Sequence, residues 1–240
     1  MTQPWEGNRL TSTSPAASSK APEALHTSAT IDYKSEIIRK GIHLCSLSIP
    51  IIYAFITKEQ ALTLLVPVTV AFLVVDLARY YHPPTAQWFY RWFGWLLRRH
   101  EQNAERKRLN GATNVLLSAC LCVFIFPKIV TINAFAVLII SDSTSALVGR
   151  RFGKRPFFNK SLEGAIAFFL SALLVILVAP KVQGLPMEYI VAAIAAIVAT
   201  IAESLSTEID DNLSVPLSFG SVMWGLYLWL LPNVDLSSVM

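Results

Sequence analysis

Charge is scarce in this sequence. Asp, Glu, Lys and Arg make up only 15% of its 240 residues, whereas 54% are hydrophobic. A soluble domain usually carries about a quarter charged residues, because its surface must be hydrated. Cysteine is scarce too, and Cys45, Cys120 and Cys122 all lie inside apolar runs without the spacing of a metal site. These shortages exclude a soluble globular domain, a disulfide framework and a CxxC metal site.

The basic residues do not form a soluble basic module, although the formal net charge is +4. A nucleic-acid-binding domain concentrates Lys and Arg on one face or along one helix. Here they stand beside apolar segments, where they indicate membrane topology. We therefore expect no nucleic acid as a partner.

Long apolar runs, in contrast, are abundant. A helix needs about 20 apolar residues to cross a hydrocarbon layer of about 30 Å. The candidate spans are residues 41–57, 61–80, 111–127, 129–149, 162–179, 188–206 and 215–231. The sequence therefore predicts an all-α protein, a polytopic transmembrane helical bundle of about seven spans.

The first 33 residues differ from the rest of the chain. They are rich in Ser, Thr, Ala and Pro, lack apolar periodicity, and lack the apolar core and cleavage site of a signal peptide. We predict a disordered tail over residues 1–33 and one transmembrane domain over residues 34–240.

The positions of Lys and Arg predict the orientation, because cytoplasmic loops hold an excess of them. With the tail inside, only Lys58, Lys128 and Lys181 of the 20 basic residues fall in outside loops. The N-terminus is thus predicted to be cytoplasmic and the C-terminus external. The last inside loop, TEIDDNLS, is acidic, so this rule does not explain its carboxylates.

An aromatic stretch, TAQWFYRWFGWLLRRH (85–100), lies between the second and third spans. Trp, Phe and Leu interleaved with Arg are typical of a helix lying in the membrane interface. An ordinary loop with aromatic anchors has the same composition, so both interpretations stay open.

The fourth span ends in polar residues. Asp142 shares a helical face with Ser145 and Gly149. The chain then leaves the membrane through GRRFGK (149–154), whose glycines permit close approach to a ligand and whose Arg150 and Lys154 can neutralise phosphate. A helix-end Asp paired with a nearby Arg for structural reasons would also explain the pattern.

The fifth span begins at NKSLEG (159–164). Lys160 and Glu163 stand at its entrance, Ser161 is placed to cap the helix, and Gly164 permits close packing. Plain N-capping with an acid in the first turn is the alternative to a functional role.

Carboxylates gather on the same side near the sixth span. They are Glu203, Glu208, Asp210 and Asp211. Hard oxygen ligands of this kind suit Mg²⁺. A solvated acidic loop is the alternative, although it would not account for Glu203 within the span.

Two further segments bring polar groups to this side. Arg39, Lys40 and His43 share a face at the start of the first span. The third span begins with the unusually polar run Asn110 to Asn114. Asp76 and Arg79 are three residues apart, and we expect them to form an ion pair with each other. Basic groups together with carboxylates that hold Mg²⁺ are what nucleotide phosphoryl transfer requires.

Five ordered blocks resemble the CTP-dependent polyprenol kinase family, which includes dolichol kinase, phytol kinase and the fungal CTP-using diacylglycerol kinase. The blocks are RKGIH (39–43), LNGATN (109–114), SDSTSALVGRRFGK (141–154), KSLEG (160–164) and ESLSTEIDDNLSVP (203–216). The resemblance implies transfer of the γ-phosphoryl group of CTP to the hydroxyl of a membrane lipid alcohol, with a divalent metal. It also implies that the family's basic pair is Arg39 and Lys40, and that its Asp and Gly are Asp142 and Gly149.

One position departs from that pattern, since Ser141 stands where the family has Gly before the Asp. KSLEG also resembles a segment of phosphatidate cytidylyltransferases, which likewise consume CTP. Their C-terminal signature is missing, because this chain has IDDNLSVPLSFG in its place. The kinase is favoured over the cytidylyltransferase. A small ion-coupled transporter using Asp142 and Glu203, and a noncatalytic scaffold, are the remaining alternatives.

These inferences assign expected roles. The expected catalytic residues are Asp142, Lys160, Glu163, Asp210 and Asp211. The residues expected to bind the nucleotide are Arg39, Lys40, His43, Asn110, Thr113, Asn114, Ser145, Gly149, Arg150, Gly153, Lys154, Gly164 and Asn212. Those expected to hold Mg²⁺ are Asp142, Glu203, Asp210 and Asp211. The partners are CTP, a lipid alcohol and the bilayer, with the active site on the cytoplasmic face of an integral membrane protein, in the inner membrane if the source is bacterial.

Overall fold

The computed structural model describes residues 37–93, 109–206 and 210–236. Within these ranges the chain forms eight helices and one small hairpin. The helices are α1 (Ile37–Phe55), α2 (Lys58–Tyr81), α3 (Pro83–Phe93), α4 (Gly111–Ile125), α5 (Lys128–Phe152), α6 (Leu162–Val178), α7 (Pro186–Leu205) and α8 (Asp211–Leu230). The predicted all-α class is confirmed. The predicted tail, residues 94–100 of the aromatic stretch, and Glu208 lie outside the described residues.

Seven of these helices coincide with the seven predicted spans. Five are long and apolar enough to cross a membrane: α1, α2, α5, α7 and α8. The other two, α4 and α6, are apolar but have only 15 and 17 residues. The number of helices that cross the membrane therefore stays a prediction, as does the cytoplasmic N-terminus.

Two details differ from the predictions. The first helix begins at Ile37, four residues before the approximate start predicted for the first span, so Lys40 and His43 both lie within the helix. Its hydrogen bonding is interrupted by a turn at Ser46 and Leu47. The aromatic stretch is helical over its described part, α3, so the loop interpretation is wrong there.

Side-chain caps fix several helix starts, as local sequence chemistry predicts. Thr57 and Gln60 form a capping box at α2. Asn110 caps α4, Ser161 caps α6 and Asp210 caps α8, each by accepting a backbone N–H of the first turn. Because the last three starts lie at the polar end of the molecule, the caps also set the position of the predicted site.

Helix α5 is the centre of the bundle and packs against α1, α6 and α8. Its buried residues include Val137, Leu138 and Ile139, each 0% exposed. In contrast, α1 and α2 carry large exposed apolar side chains such as Phe55, Leu64 and Val74. Such a continuous apolar surface is expected where lipid replaces water as the solvent.

At the end of the bundle opposite the predicted site, one buried carboxylate connects neighbouring segments by hydrogen bonds. Glu188, at the start of α7, is 0% exposed. Its oxygens accept hydrogen bonds from the backbone N–H groups of Val182, Gln183 and Leu185 and from the hydroxyl of Tyr227 on α8. Glu188 thereby joins the α6–α7 loop to α8, a structural role that accounts for this charge without chemistry.

We expect Glu188→Ala to lower the free energy of unfolding by about 2 to 4 kcal/mol, because it leaves the buried Tyr227 hydroxyl and three partly buried backbone N–H groups unsatisfied. The control Tyr227→Phe removes only one hydrogen bond and should cost about 1 kcal/mol. Thermal unfolding in detergent measures both. Equal stability of the Ala variant and the wild type would contradict this role.

Candidate active site

Charged and polar residues from seven helices meet at one end of the bundle. This end holds the first half of α1, the C-terminal ends of α2, α5 and α7, and the N-terminal ends of α4, α6 and α8, as the contacts below establish. Most of the residues predicted from the five sequence blocks lie there.

Asp142 of α5 forms a buried ion pair with Lys40 of α1. Both residues are almost inaccessible, at 2% and 3% exposed. The His43 Nε2 atom lies 3.5 Å from the same carboxylate oxygen. Lys40 and His43 therefore do share a face, as their spacing predicted, and that face is turned toward Asp142.

Lys160 is the centre of a second cluster. Its Nζ atom donates to Glu203 Oε1 at 2.6 Å and to Asp211 Oδ2 at 3.2 Å. Ser145 Oγ donates to the same Glu203 oxygen at 2.9 Å. Burial alone would lower the pKa of Lys160, but the carboxylates of Asp211, Glu203 and Asp142 outweigh it and raise that pKa. Lys160 is therefore held as a cation, and it links α7 to α8.

A short antiparallel hairpin presents Lys160. Strands β1 (Pro156–Phe157) and β2 (Lys160–Ser161) pair through a turn in which Phe158 has a φ of 49°. Asn159 in the turn donates its backbone N–H to the Ser204 carbonyl and its side-chain amide to the Leu205 carbonyl. The hairpin is thereby fixed on the last turn of α7, next to Glu203.

Glu163 supports the loop that precedes this hairpin. Its carboxylate accepts the backbone N–H groups of Lys154 and Arg155 at 3.0 and 3.3 Å. The side chains of Arg150 and Lys154 are exposed at the end of α5. Glu163, predicted as catalytic, is thus engaged with backbone.

Three glycines let α5, the hairpin and α6 approach closely. A Cβ atom on Gly149 would lie 2.9 Å from Ser161 Oγ, and one on Gly164 would lie 3.2 Å from the Ser145 carbonyl. A Cβ on Gly153 would lie 2.2 Å from the Gly149 carbonyl oxygen, which no side chain tolerates. These residues shape the loop between Asp142 and Lys160.

Gly153→Ala should lower the activity proposed below by at least about tenfold, because the clash with backbone forces the loop that carries Lys154 to shift. Gly225→Ala on α8, where nothing lies within 4 Å of the new Cβ, is the matched control and should leave activity unchanged. Steady-state rates of the two purified variants check this. Equal rates would show that the loop is not part of the site.

Helix α8 begins with three polar residues in different environments. Asp210 accepts both the backbone N–H and the side-chain amide of Asn212, at 3.0 and 2.6 Å. That bond turns the Asn212 Oδ1 atom away from Asp210, and within the described part of the chain this buried oxygen has no hydrogen-bond partner. Asp211 pairs with Lys160. Asp210 is therefore a helix cap, while Asp211 belongs to the Lys160 cluster.

Helix α4 begins beside α8. A Cβ atom on Gly111 would lie 3.8 Å from the Asn212 side-chain nitrogen. Thr113 is 0% exposed, and its Oγ1 atom has no hydrogen-bond partner among the residues that the structure describes. Asn110 and Asn114 are each 9% exposed. The polar start of the third predicted span thus lies against Asn212, next in sequence to Asp211 of the Lys160 cluster.

One contact of this region escaped the sequence analysis. Asp76 and Arg79 of α2 do form the expected ion pair, at 2.8 Å. The second oxygen of Asp76 also accepts the backbone N–H of Asn110, at 2.7 Å. The one sign of this contact in the sequence is that Asp76 is an acid four residues before the end of the predicted span 61–80.

The described residues hold no group of three or more His, Cys, Asp or Glu side chains arranged around a common metal position. Mg²⁺ does not need one, because proteins usually bind it through one or two carboxylates together with substrate phosphates and water. The hard oxygens of Asp142, Asp211 and Asn212 have the chemistry that this ion prefers.

Fold and site together define a polytopic membrane protein with a cluster of lysines and carboxylates at one end. The chain belongs to the same family as a protein of Rickettsia prowazekii named Uncharacterized protein RP860. The two are 32% identical over 192 residues, which is 79% of this chain and 94% of the relative.

Similarity to named enzymes is partial. The chain is 35% identical to a phytol kinase of Synechocystis sp. over 106 residues, 40% of this chain and 46% of that enzyme. It is 29% identical to the CTP-dependent diacylglycerol kinase 1 of Schizosaccharomyces pombe over 98 residues, 40% of this chain and 43% of that enzyme. The matched region thus spans less than half of each kinase. These matches support the resemblance to membrane lipid kinases at the level of the family.

No protein-family model matches the chain, and no solved structure matches it.

Proposed function

We propose that this chain is an integral-membrane kinase that transfers the γ-phosphoryl group of CTP to the hydroxyl of a lipid alcohol of the prenol type. The observation that carries the proposal is the cluster in which Lys160 joins Glu203 and Asp211 beside the Lys40–Asp142 pair. The cluster lies at the end of apolar helices, where a hydroxyl on an apolar body and a soluble nucleotide can meet. The names of the partial kinase relatives agree with this chemistry.

The proposed reaction forms a bond between the alcohol oxygen and the γ-phosphorus and breaks the bond from that phosphorus to the β-phosphate oxygen. CDP leaves, and the alcohol proton goes to a carboxylate, for which Asp142 is our first choice. Phosphoryl transfer depends mainly on positioning and charge stabilisation. The lysines of the cluster supply that charge, so no nucleophilic side chain is required.

The triphosphate would be held by Lys160 together with the exposed Arg150 and Lys154, because cations at this position neutralise phosphate oxygens. Asn110, Thr113, Asn114 and Asn212 would orient the ribose or the base. The choice of CTP follows the family resemblance and the name of the fission-yeast relative. The cytoplasmic position of the site follows the distribution of Lys and Arg.

Mg²⁺, when bound with the nucleotide, would neutralise phosphate charge. We propose Asp142, Asp211 and the Asn212 side-chain oxygen as its protein ligands. Glu203 and Asp210 are less suited than the sequence suggested. The Glu203 carboxylate accepts hydrogen bonds from the side chains of Ser145, Lys160 and Ser204, and Asp210 caps α8. Their oxygens are engaged in holding the cluster together.

The decisive experiment incubates the purified protein with Mg²⁺, γ-labelled CTP and phytol, geranylgeraniol, polyprenol, diacylglycerol or phosphatidate. Label in one alcohol would establish the kinase and its acceptor. Phosphatidate converted to a CDP-lipid with release of labelled pyrophosphate would show instead the cytidylyltransferase that the KSLEG segment also resembles. No turnover of any lipid would reject the proposal.

Removing divalent cations should abolish the kinase activity. A chelator added to the active assay is expected to reduce label transfer to background, and excess Mg²⁺ should restore it, because the triphosphate charge must be neutralised. Unchanged transfer in excess chelator would contradict the proposed role of Mg²⁺.

A further inference from the structure

The ion pair of Asp76 and Arg79 is buried where a charged pair is costly. Both side chains are 0% exposed, and the pair lies near the C-terminal end of α2, a helix whose outer face is apolar. Removing two charges from water costs several kcal/mol per ion, and their attraction repays it only when further hydrogen bonds complete the geometry. Apolar residues at these positions would serve packing as well, so the pair requires another explanation.

The pair contacts two neighbouring elements, α3 through an aromatic ring and the start of α4 through a hydrogen bond. The Arg79 guanidinium donates to the Tyr80 hydroxyl and lies over the ring of Phe89 on α3, 5.1 Å from its centroid. The second oxygen of Asp76 accepts the backbone N–H of Asn110. This N–H belongs to the capping residue of α4, so it has no partner within the helix. Asp76 thus holds the first turn of α4 from a separate helix.

That first turn carries Thr113, whose side chain has unused hydrogen-bonding capacity. Asn110 Oδ1 accepts the Thr113 backbone N–H at 2.9 Å, so the position of Asn110 sets the position of Thr113. The Thr113 hydroxyl is buried and has no partner among residues 37–93, 109–206 and 210–236. Gly111 in the same turn lies against Asn212. A shift of this turn would therefore displace the buried Thr113 hydroxyl.

We propose that Asp76 is a positioning residue for the nucleotide subsite and acts through Asn110. This inference rests on the proposed function, because it takes the start of α4 as part of the CTP site. Asp76 touches no reacting atom. Its charge is kept in an apolar environment by Arg79, and the pair together fixes the N-terminus of α4 against that of α8.

Two variants separate this role from plain stabilisation. Asp76→Leu combined with Arg79→Met removes both charges, a replacement that is often neutral or stabilising for a buried pair. It also removes the acceptor of the Asn110 N–H. Asp76→Glu keeps the charge for Arg79 but moves the carboxylate by one methylene. Thr69→Val is the matched control, since the Thr69 hydroxyl contacts α4 deeper in the same interface, at the Leu116 carbonyl and Cys120.

We expect the double variant to stay folded, because the neutral replacement of the ion pair leaves only the unsatisfied Asn110 N–H to lower its thermal midpoint. It should raise KM for CTP about tenfold and change kcat by less than about threefold, as the loss of one well-placed hydrogen bond predicts. Asp76→Glu should raise KM for CTP in the same direction, and Thr69→Val should leave it unchanged. If the double variant does not fold, the KM for CTP of Asp76→Glu tests the inference by itself. Wild-type kinetics in both folded variants would overturn the inference.

Failure of the proposed function would look different. In that case the wild type itself would phosphorylate no lipid with CTP, and the comparison of variants would not arise. An active wild type with unaltered Asp76 variants would reject only the positioning role.

Discussion

Lys160→Met is expected to lower kcat by about 100- to 1,000-fold, the range seen when one group that stabilises transition-state charge is removed. Lys160 Nζ lies 2.6 Å from Glu203 and 3.2 Å from Asp211, and no other described lysine joins these carboxylates. Methionine fills a similar volume without charge, so the variant leaves two carboxylates close together beside the proposed triphosphate. Rates with γ-labelled CTP measure the loss.

The structural part of this effect can be measured separately. Two uncompensated carboxylates should also lower the free energy of unfolding by about 2 kcal/mol or more. Lys160→Arg keeps the positive charge and should retain stability, yet it should lose activity because its planar guanidinium does not replace a point charge. A Met variant with normal kcat would show that Lys160 serves only the fold.

The pH dependence of Lys160 has a defined sign. Its carboxylate neighbours raise its pKa above the ordinary value of 10.5. The stability contributed by the charged form is therefore fully present below that ordinary value and is lost only as pH rises through the higher folded-state pKa. A rate profile between about pH 6 and 9 should show no decline from deprotonation of Lys160.

Local sequence patterns were sufficient for most of the fold. Runs of apolar residues located seven helices, because a hydrocarbon environment demands long continuous stretches. Capping at Ser161 was also visible from the order Ser, Leu, Glu, Gly. The first apolar run begins at Gly41, but α1 begins four residues earlier, because Lys40 is buried in the helix by its ion pair with Asp142.

The site was harder to predict, because periodicity shows which residues share one helical face but not which faces meet. Lys40 and Asp142 are 102 positions apart, and their pairing depends on how α1 packs on α5. Asp210 and Asp211 are neighbours with similar sequence signals, but only the backbone geometry at the start of α8 makes one a cap and the other a partner of Lys160. The sequence supplied Arg79 as a partner for Asp76, but it did not indicate that the second carboxylate oxygen accepts the backbone N–H of Asn110.

Asp142→Asn is the second variant for which a large loss is expected. The amide has nearly the same shape as the carboxylate, but it neither accepts a proton from the lipid hydroxyl nor contributes a negative ligand to Mg²⁺. We expect kcat to fall by about 100- to 10,000-fold, the range for loss of a general base. Transfer of label from CTP to the preferred alcohol measures it.

This substitution also removes the partner of Lys40, which is 3% exposed, and leaves a buried cation. The single variant should therefore be less stable by about 3 kcal/mol. Adding Lys40→Met removes that cation and should restore much of the thermal stability. If the double variant regains stability while its activity stays far below that of Lys40→Met alone, Asp142 acts in the chemistry. If activity returns together with stability, the carboxylate serves only to neutralise Lys40, and the proton acceptor must be sought at Asp211.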